Sequence, residues 1–178
     1  MDFLRKTINT LFSMEGARFR IADYQRAYSW GKSQCKRFFN ALYTQSENEN
    51  HYFLGNIVLE GSAGNDVFEI VDGQRRIMTA VIFVSAIIDI LEKRQETETI
   101  SVDINKLKQI YSIQTTAHSP KKLMSAKNYF LQKLNSIKDT AEIIRILNKL
   151  EQSPVTAVIF DCKADTAFFL RFKIAGVP

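Results

Sequence analysis

The alternation of apolar and polar residues predicts a β-hairpin in the first half of the chain. Residues 52–60 and 67–71 are rich in β-branched and aromatic side chains, and the segment between them contains glycine and asparagine. Gly55 interrupts the first of these strands, which indicates a bulge or a close approach of the backbone to a ligand. A shorter alternating segment, residues 19–21, predicts another brief strand.

Apolar residues at helical spacing predict a long central helix over residues 76–93. Apolar side chains cover most of its circumference, so we expect it to lie at the centre of its domain. Shorter amphipathic helices are predicted over residues 3–12, 32–45, 104–111, 121–134 and 141–150. Residues 155–160 form a candidate strand that would return to the first sheet, and residues 166–174 form a candidate helix.

This order of elements predicts an α+β fold in two parts. Residues 1–95 would form an α/β unit with a small sheet and a central helix. Residues 96–178 would form a mainly helical part with the possible returning strand at 155–160. Since the last candidate helix is hardly begun when the sequence stops, we expect this part to be truncated.

Composition limits the class of protein. Of 178 residues 46% are hydrophobic, which is typical of a globular protein with a sizeable core. The two cysteines, Cys35 and Cys162, have no CxxC spacing, which argues against a disulfide framework and a zinc site and favours a reducing cytoplasm. The longest apolar run, residues 77–91, is short and contains Asp89, so no membrane span is expected, and no signal peptide is predicted.

The distribution of charge suggests a phosphate-containing partner. The net charge is +5, and the whole excess lies in residues 91–178, which carry fourteen basic and nine acidic residues. A second local excess lies between residues 18 and 37. Basic clusters suit nucleic acid or phosphate, although a solvated lysine-rich helix face explains the second half equally well. Within that half, Lys121, Lys122 and Lys127 are the candidate DNA contacts.

The strongest chemical signal is the junction between the 67–71 strand and the central helix. There the chain reads Asp72-Gly73-Gln74-Arg75-Arg76. A strand, a glycine turn and a helix N-terminus form a ready anion site, and two arginines add donors that suit phosphate oxygens. The carboxylate of Asp72 could hold a metal ion or a water. The alternative is a tight turn with a surface Asp–Arg pair.

A second polar block precedes the hairpin. Tyr24 could stack on a base and Arg26 could pair with phosphate, or both could simply pack at a domain edge. The sequence has no Ser–His–Asp, Cys–His or His-Asn-His set, so we do not expect a nuclease centre within it.

Three blocks together resemble the GmrSD/SspE-type N-terminal domain, a family of bacterial anti-phage restriction proteins related to the ParB/sulfiredoxin fold. They are residues 19–30 with Tyr24-Gln25-Arg26, residues 52–59 around Gly55, and residues 71–79 with the Asp-Gly-Gln-Arg-Arg motif. The resemblance covers roughly residues 1–95 and implies a ParB-like nucleotide-binding unit there. It also implies nucleotide hydrolysis, with GTP favoured and Mg²⁺ as the metal ion, coupled to cleavage of modified phage DNA by a separate nuclease domain or subunit.

The resemblance also implies the roles of individual residues. Asp72 and Gln74 would be catalytic, and Asp72 would hold Mg²⁺. The nucleotide would be bound by a larger set: Tyr24, Gln25, Arg26, Gly55, Gly73, Arg75, Arg76 and Thr79.

Departures from the family pattern leave two hypotheses open. The second glutamine of the family motif is Arg75 here, and the later Asn-x-Arg-Gly block is only shadowed near residues 165–178. Retention of Asp72-Gly73-Gln74 favours a nucleotide hydrolase. The change at Arg75 favours a non-catalytic module that binds nucleotide or DNA and regulates a partner nuclease.

Overall fold

The computed structural model describes residues 2–21, 26–44, 52–61, 66–115 and 120–161. Within these ranges the chain forms strands and helices in the following order: β1 Asp2–Thr7, α1 Ile8–Phe12, β2 Arg18–Ile21, α2 Lys32–Thr44, β3 Gly55–Glu60, β4 Val67–Asp72, α3 Gln74–Arg94, α4 Ile104–Ile110, β5 Ile113–Thr115, α5 Pro120–Asn135, α6 Thr140–Glu151 and β6 Pro154–Phe160. This mixture confirms the predicted α+β class.

The strands form one mixed sheet in the order β1-β6-β3-β4-β2-β5. The pairs β1–β6 and β3–β4 are antiparallel, whereas β3–β6, β2–β4 and β2–β5 are parallel. The predicted hairpin is therefore confirmed as β3–β4, with an irregular register between Val58 and Leu59. The candidate strand at 155–160 is confirmed as β6, which lies between β1 and β3. Strands from both predicted parts of the chain thus share one sheet.

One prediction at the element level was wrong. Residues 3–12 were expected to form a helix, but Asp2–Thr7 is a strand paired with β6, and only Ile8–Phe12 is helical. The helix begins at Thr7 because the Thr7 hydroxyl accepts from the Thr10 backbone and the Thr10 hydroxyl accepts from the Thr7 backbone, a capping box. The three-residue strand β5 was not expected at all. The candidate helix at 166–174 lies outside the described residues.

Helix α3 is the centre of the helical layer. Most of its side chains are buried, including Phe83 and Ile87 at 0% exposure. Phe83 meets Phe38 of α2 and Phe130 of α5 with ring centroids 5.7 and 5.0 Å apart, both in edge-on geometry. Such pairs add to the area that each ring buries, so α2 and α5 are held against α3 by aromatic contacts.

Helices α4 and α6 each have an aspartate at the N-cap position. The Asp103 carboxylate accepts from the Lys106 backbone N–H of α4, and the Asp139 carboxylate accepts from the Ala141 N–H of α6. These caps satisfy N–H groups that have no partner within the helix and place negative charge at its positive end. Helix α3 has no such side-chain cap.

Candidate functional site

Strand β4 and helix α3 meet in a turn that requires glycine. Asp72 ends the strand, Gly73 has φ +86°, and α3 begins at Gln74. A Cβ atom on Gly73 would lie 2.6 Å from Cγ2 of Ile57 in the neighbouring strand β3. Positive φ and this close contact together exclude side chains, so the sharp strand-to-helix turn depends on Gly73.

The N-terminus of α3 is open in the way an anion site needs. No side chain caps it, and its first turn contains no acidic residue. The Gly73 carbonyl accepts from the N–H groups of both Arg76 and Ile77. The partial positive charge of the first turn is therefore not compensated by a capping carboxylate, and it suits a phosphate oxygen.

A small pocket, which we call the Arg75 pocket, lies beside this helix end. Arg26, Gln74 and Arg75 line it, with Tyr28 and Met78 among its other walls. The structure thus brings Arg26 into the same pocket as Gln74 and Arg75, whereas Asp72, Gly73 and Arg76 are not among its lining residues. Tyr24 and Gln25 lie outside the described residues. The pocket is narrow, with about 20 Å³ accessible to water, which is room for about one water molecule.

Arg76 does not line the Arg75 pocket. Its guanidinium donates to the backbone carbonyl of Leu54 at 3.3 Å and to that of Asn56 at 2.7 Å, and its Nη2 lies 3.8 Å from a carboxylate oxygen of Asp72. Gly55 makes this possible, because a Cβ there would lie 1.8 Å from Nη1 of Arg76. The close approach predicted at Gly55 is thus to an arginine of the chain itself.

Gln74 and Thr79 are held by backbone carbonyls. The Gln74 amide nitrogen donates to the carbonyl of Val71 at 2.8 Å and to that of Ile70 at 3.3 Å, which fixes the plane of the amide at the pocket wall. Thr79 is fully buried, and its hydroxyl donates to the Arg75 carbonyl at 2.7 Å. Thr79 therefore contacts the site through the backbone of Arg75.

Tyr28 connects this site to helix α2, and sequence reasoning gave it no role. Its hydroxyl lies 2.9 Å from the Thr79 hydroxyl and 3.8 Å from the Cys35 thiol. Because the single Thr79 proton is used on Arg75, the Tyr28 hydroxyl donates to Thr79 and accepts from Cys35. Burial raises the pKa of Tyr28 well above its usual range, so it stays protonated and can keep this bond. The feature of the sequence that could have identified Tyr28 is the Tyr-Ser-Trp segment shortly after Arg26.

Asp72 is the candidate metal ligand. Its carboxylate is 39% exposed and shares the turn with the open end of α3. The described residues contain no cluster of three or more His, Cys, Asp or Glu that could hold a metal ion. Mg²⁺ at nucleotide sites is commonly bound through one or two carboxylates together with substrate phosphates, so a single carboxylate fits this ion better than a metal held by protein alone.

The candidate DNA contacts lie on α5. Lys121 and Lys122 are exposed in its first turn. Lys127, one turn further along, pairs with Asp89 of α3 at 2.8 Å. Two of the three lysines are thus available on the surface, and the third is held by an ion pair.

Fold and site together describe an α+β domain with a strand–Asp-Gly–helix turn and two arginines, Arg26 and Arg75, that line one pocket. A family model described as the GmrSD restriction endonuclease, N-terminal domain, matches residues 8–172. The chain belongs to this family. A search of curated proteins found no match.

Membership defines the chain at a coarse level as a module of a restriction system, and it implies a nuclease domain or subunit as partner. Among the described residues, no helix is both long and apolar enough to cross a membrane.

Proposed function

We propose that this chain is a nucleotide-binding and nucleotide-hydrolysing module of a bacterial anti-phage restriction system directed against modified DNA, with GTP as the favoured nucleotide. One observation carries the proposal. Arg26 and Arg75 line the same pocket as Gln74, at the uncapped N-terminus of α3. Two guanidinium groups and a helix N-terminus at one point match the charge of a polyphosphate.

Each side chain of the site has a chemical role in this proposal. Arg26 and Arg75 hold phosphate oxygens in the ground state. Asp72 holds Mg²⁺, which would neutralise charge on the phosphates when bound. The Gln74 amide nitrogen is anchored to Ile70 and Val71, so its side-chain oxygen has a fixed direction and can orient an attacking water.

Arg76 and Thr79 have supporting roles. Arg76 ties the start of β3 to the first turn of α3, and Thr79 fixes the Arg75 backbone. Gly55 and Gly73 allow these contacts without a steric clash. We assign Tyr24 and Gln25 to the nucleotide as well, on the sequence motif alone. The relation to the ParB/sulfiredoxin fold stays a prediction.

The size of the Arg75 pocket restricts how a nucleotide would bind. With about 20 Å³ of accessible space, the pocket holds no base or ribose. A phosphate at its mouth would reach the arginines, and the nucleoside would lie on the outer surface. Turnover therefore requires either an open mouth or a rearrangement on binding.

The second candidate function is a non-catalytic nucleotide- or DNA-binding module that regulates a separate nuclease. It is favoured by Arg75, which stands where the family motif has glutamine and which adds a second guanidinium beside Arg26. Two cations on one phosphate strengthen binding of the nucleotide in its ground state. Interactions that are equally strong in the ground state and in the transition state do not speed the chemical step.

A turnover assay with Mg²⁺ and each of the four nucleoside triphosphates tests the proposal. We expect phosphate release by the native chain, loss of release in Asp72→Ala with affinity little changed, and faster release in Arg75→Gln. Asp2→Ala is the matched control, because Asp2 is exposed on β1 at the edge of the sheet. If nucleotide binds but neither the native chain nor Arg75→Gln releases phosphate, the regulatory function replaces the hydrolase.

A further inference from the structure

Helix α5 reaches the Arg75 pocket, and its first turn carries two exposed lysines. Leu123 of α5 lines the pocket together with Arg26 and Arg75. Lys121 and Lys122 directly precede Leu123 and are exposed to solvent. The candidate nucleotide contacts and the candidate DNA contacts, which are far apart along the chain, therefore lie next to each other in the fold.

Helices α3 and α5 both begin beside this pocket. Met78 of α3 and Leu123 of α5 line it, and further along the two helices Phe83 meets Phe130 with ring centroids 5.0 Å apart. Both helices therefore run away from the pocket in the same direction. Neither has an acidic residue in its first turn, so their positive ends act on the same region of solvent.

The basic side chains around the pocket are not neutralised by described carboxylates. None of the described residues that line the pocket is acidic, and Asp72 lies beside Arg76, outside the pocket wall. Four basic residues take no part in the ion pairs between described residues: Arg26, Arg75, Lys121 and Lys122. Uncompensated charge of one sign at one place favours a polyanion.

The shape of the pocket favours a phosphodiester backbone over bases. With room for about one water molecule, it accepts a phosphate at its mouth and no base. Tyr28 is the one aromatic residue among the described lining residues, and it is only 6% exposed. Proteins that bind single strands stack bases on exposed aromatic rings, whereas duplex DNA keeps its bases stacked on each other and presents phosphates outward. The described surface therefore suits a duplex.

We propose that one stretch of duplex DNA backbone crosses the mouth of the Arg75 pocket and the first turn of α5. Arg26 and Arg75 hold one phosphate at the mouth, and Lys121 and Lys122 hold phosphates next to it. Such contacts position DNA without reading its sequence. The inference rests on the proposed phosphate binding by the Arg75 pocket. Since a nucleoside triphosphate would occupy the same mouth, DNA and nucleotide exclude each other.

Fluorescence anisotropy of the whole chain with a short labelled duplex, measured over a series of salt concentrations, tests the DNA site. Arg75→Ala should reduce the slope of log affinity against log salt by about 1, the value for one phosphate contact, and Lys121→Gln should do the same. Lys133→Gln is the matched control, because Lys133 lies in the last turn of the same helix. Its slope should equal that of the native chain. Melting temperatures show whether each variant is folded, and Arg75→Gln replaces Arg75→Ala if the latter unfolds.

Titration of the DNA complex with GTP and Mg²⁺ tests the shared mouth. The affinity for GTP is first measured by calorimetry without DNA. At a GTP concentration of about ten times its own Kd, the apparent Kd for DNA should rise about 11-fold, as for competition at one site. Sodium chloride added to the same ionic strength is the control, because salt alone weakens DNA binding.

Three results would overturn the proposal. Absence of DNA binding by the native chain at low salt would do so. An unchanged salt slope in Arg75→Ala and Arg75→Gln, together with a reduced slope in Lys121→Gln, would confine the DNA to α5. A DNA affinity that GTP does not change, although GTP binds, would separate the two sites. If GTP does not bind but the Arg75 variants still reduce the slope, the proposed nucleotide function fails and the DNA site stands.

Discussion

At the scale of single residues, two glycines and two adjacent arginines decide the geometry of the site. Gly73 makes the turn, and Gly55 leaves the space in which Arg76 reaches the backbone of β3. Consecutive helical residues point about 100° apart, which is why Arg75 lines the pocket and Arg76 does not. The two arginines therefore have different surroundings: Arg76 donates to the backbone around the start of β3, and Arg75 lines the pocket.

Gly73→Ala should lower the free energy of unfolding by about 2–4 kcal/mol, because it combines a left-handed backbone with a clash against Ile57. Denaturant unfolding measures this. Gly31→Ala is the matched control, since its Cβ would come no closer than 3.6 Å to Gln34 and its φ is not positive. Equal effects of the two changes would contradict the role given to the turn.

Arg76→Ala should lower the free energy of unfolding by about 1–3 kcal/mol, because the carbonyls of Leu54 and Asn56 lose a charged donor. Arg75→Ala should change it by less than about 0.5 kcal/mol, as is usual for a side chain outside the core. Thermal and denaturant unfolding of both variants provide the comparison. If Arg75→Ala were the more destabilising change, the assignment of the two arginines would have to be reversed.

At the scale of elements, the sequence predicted the helices and strands in which the spacing of apolar residues is clear. Helix α3, the β3–β4 hairpin and strand β6 all carry enough apolar periodicity to be recognised. Strand β1 was mistaken for a helix because Phe3, Leu4, Ile8 and Leu11 also fit a helical spacing. Its pairing with β6, at the other end of the described chain, is what makes it a strand. Strand β5 has three residues, and only its neighbour β2 makes it a strand.

The same limit applies to the site. The motif identified Arg26 and the Asp-Gly turn. No pattern in the sequence indicates that the Arg76 side chain donates to the backbone around the start of β3. That depends on where Gly55 lies, and the position of Gly55 is set by pairing between β3 and β6. The role of Tyr28 likewise depends on Thr79, fifty-one residues away in sequence. Long-range contacts of this kind are fixed by the whole fold.

Helices α4 and α6 are connected by a contact that should make stability depend on pH. The hydroxyl of Tyr111, directly after α4, donates to Glu151 at the end of α6 at 3.1 Å. Burial raises the pKa of Glu151 above its ordinary value of 4.5, although the hydrogen bond from Tyr111 acts in the opposite direction. The folded state therefore binds the proton more tightly than the unfolded state, and the folded state loses stability as pH rises through that raised pKa.

Glu151→Gln removes this dependence while keeping an acceptor for Tyr111. We expect the variant to be more stable than the native chain at pH 7, with the difference shrinking as pH falls toward 4.5. Denaturant unfolding at several pH values between about 4 and 8 measures the difference in stability between the variant and the native chain. A difference that grows toward low pH would contradict the sign of the shift.

At the scale of the whole molecule, the excess of positive charge lies in the second half of the chain, residues 91–178. The net charge is +5, but two of the lysines form ion pairs in the structure. Lys108 pairs with Glu92 at 2.5 Å and Lys127 with Asp89 at 2.8 Å. What remains for a phosphate backbone at the start of α5 is Lys121 and Lys122, a small patch.

We therefore predict weak DNA binding without sequence preference, lost steeply as salt is added. Replacing Lys121 and Lys122 together by glutamine should reduce the slope of log affinity against log salt by about 2, roughly 1 for each phosphate contact. Lys108→Gln is the control, because that lysine is paired. A gel-shift assay at low salt checks this. No shift by the native chain would leave the lysines as an ordinary solvated face.

The central claim is that the Arg75 pocket binds the phosphates of a nucleotide, and calorimetric titration with GTP and Mg²⁺ tests it most directly. The native chain should bind, and Arg26→Ala and Arg75→Ala should each weaken binding about 10- to 150-fold, the range for a hydrogen bond to a charged group. Arg5→Ala, on the exposed face of edge strand β1, should bind as the native chain does. Absence of binding by any nucleoside triphosphate, or equal affinity in the Arg75 and Arg5 variants, would contradict the claim.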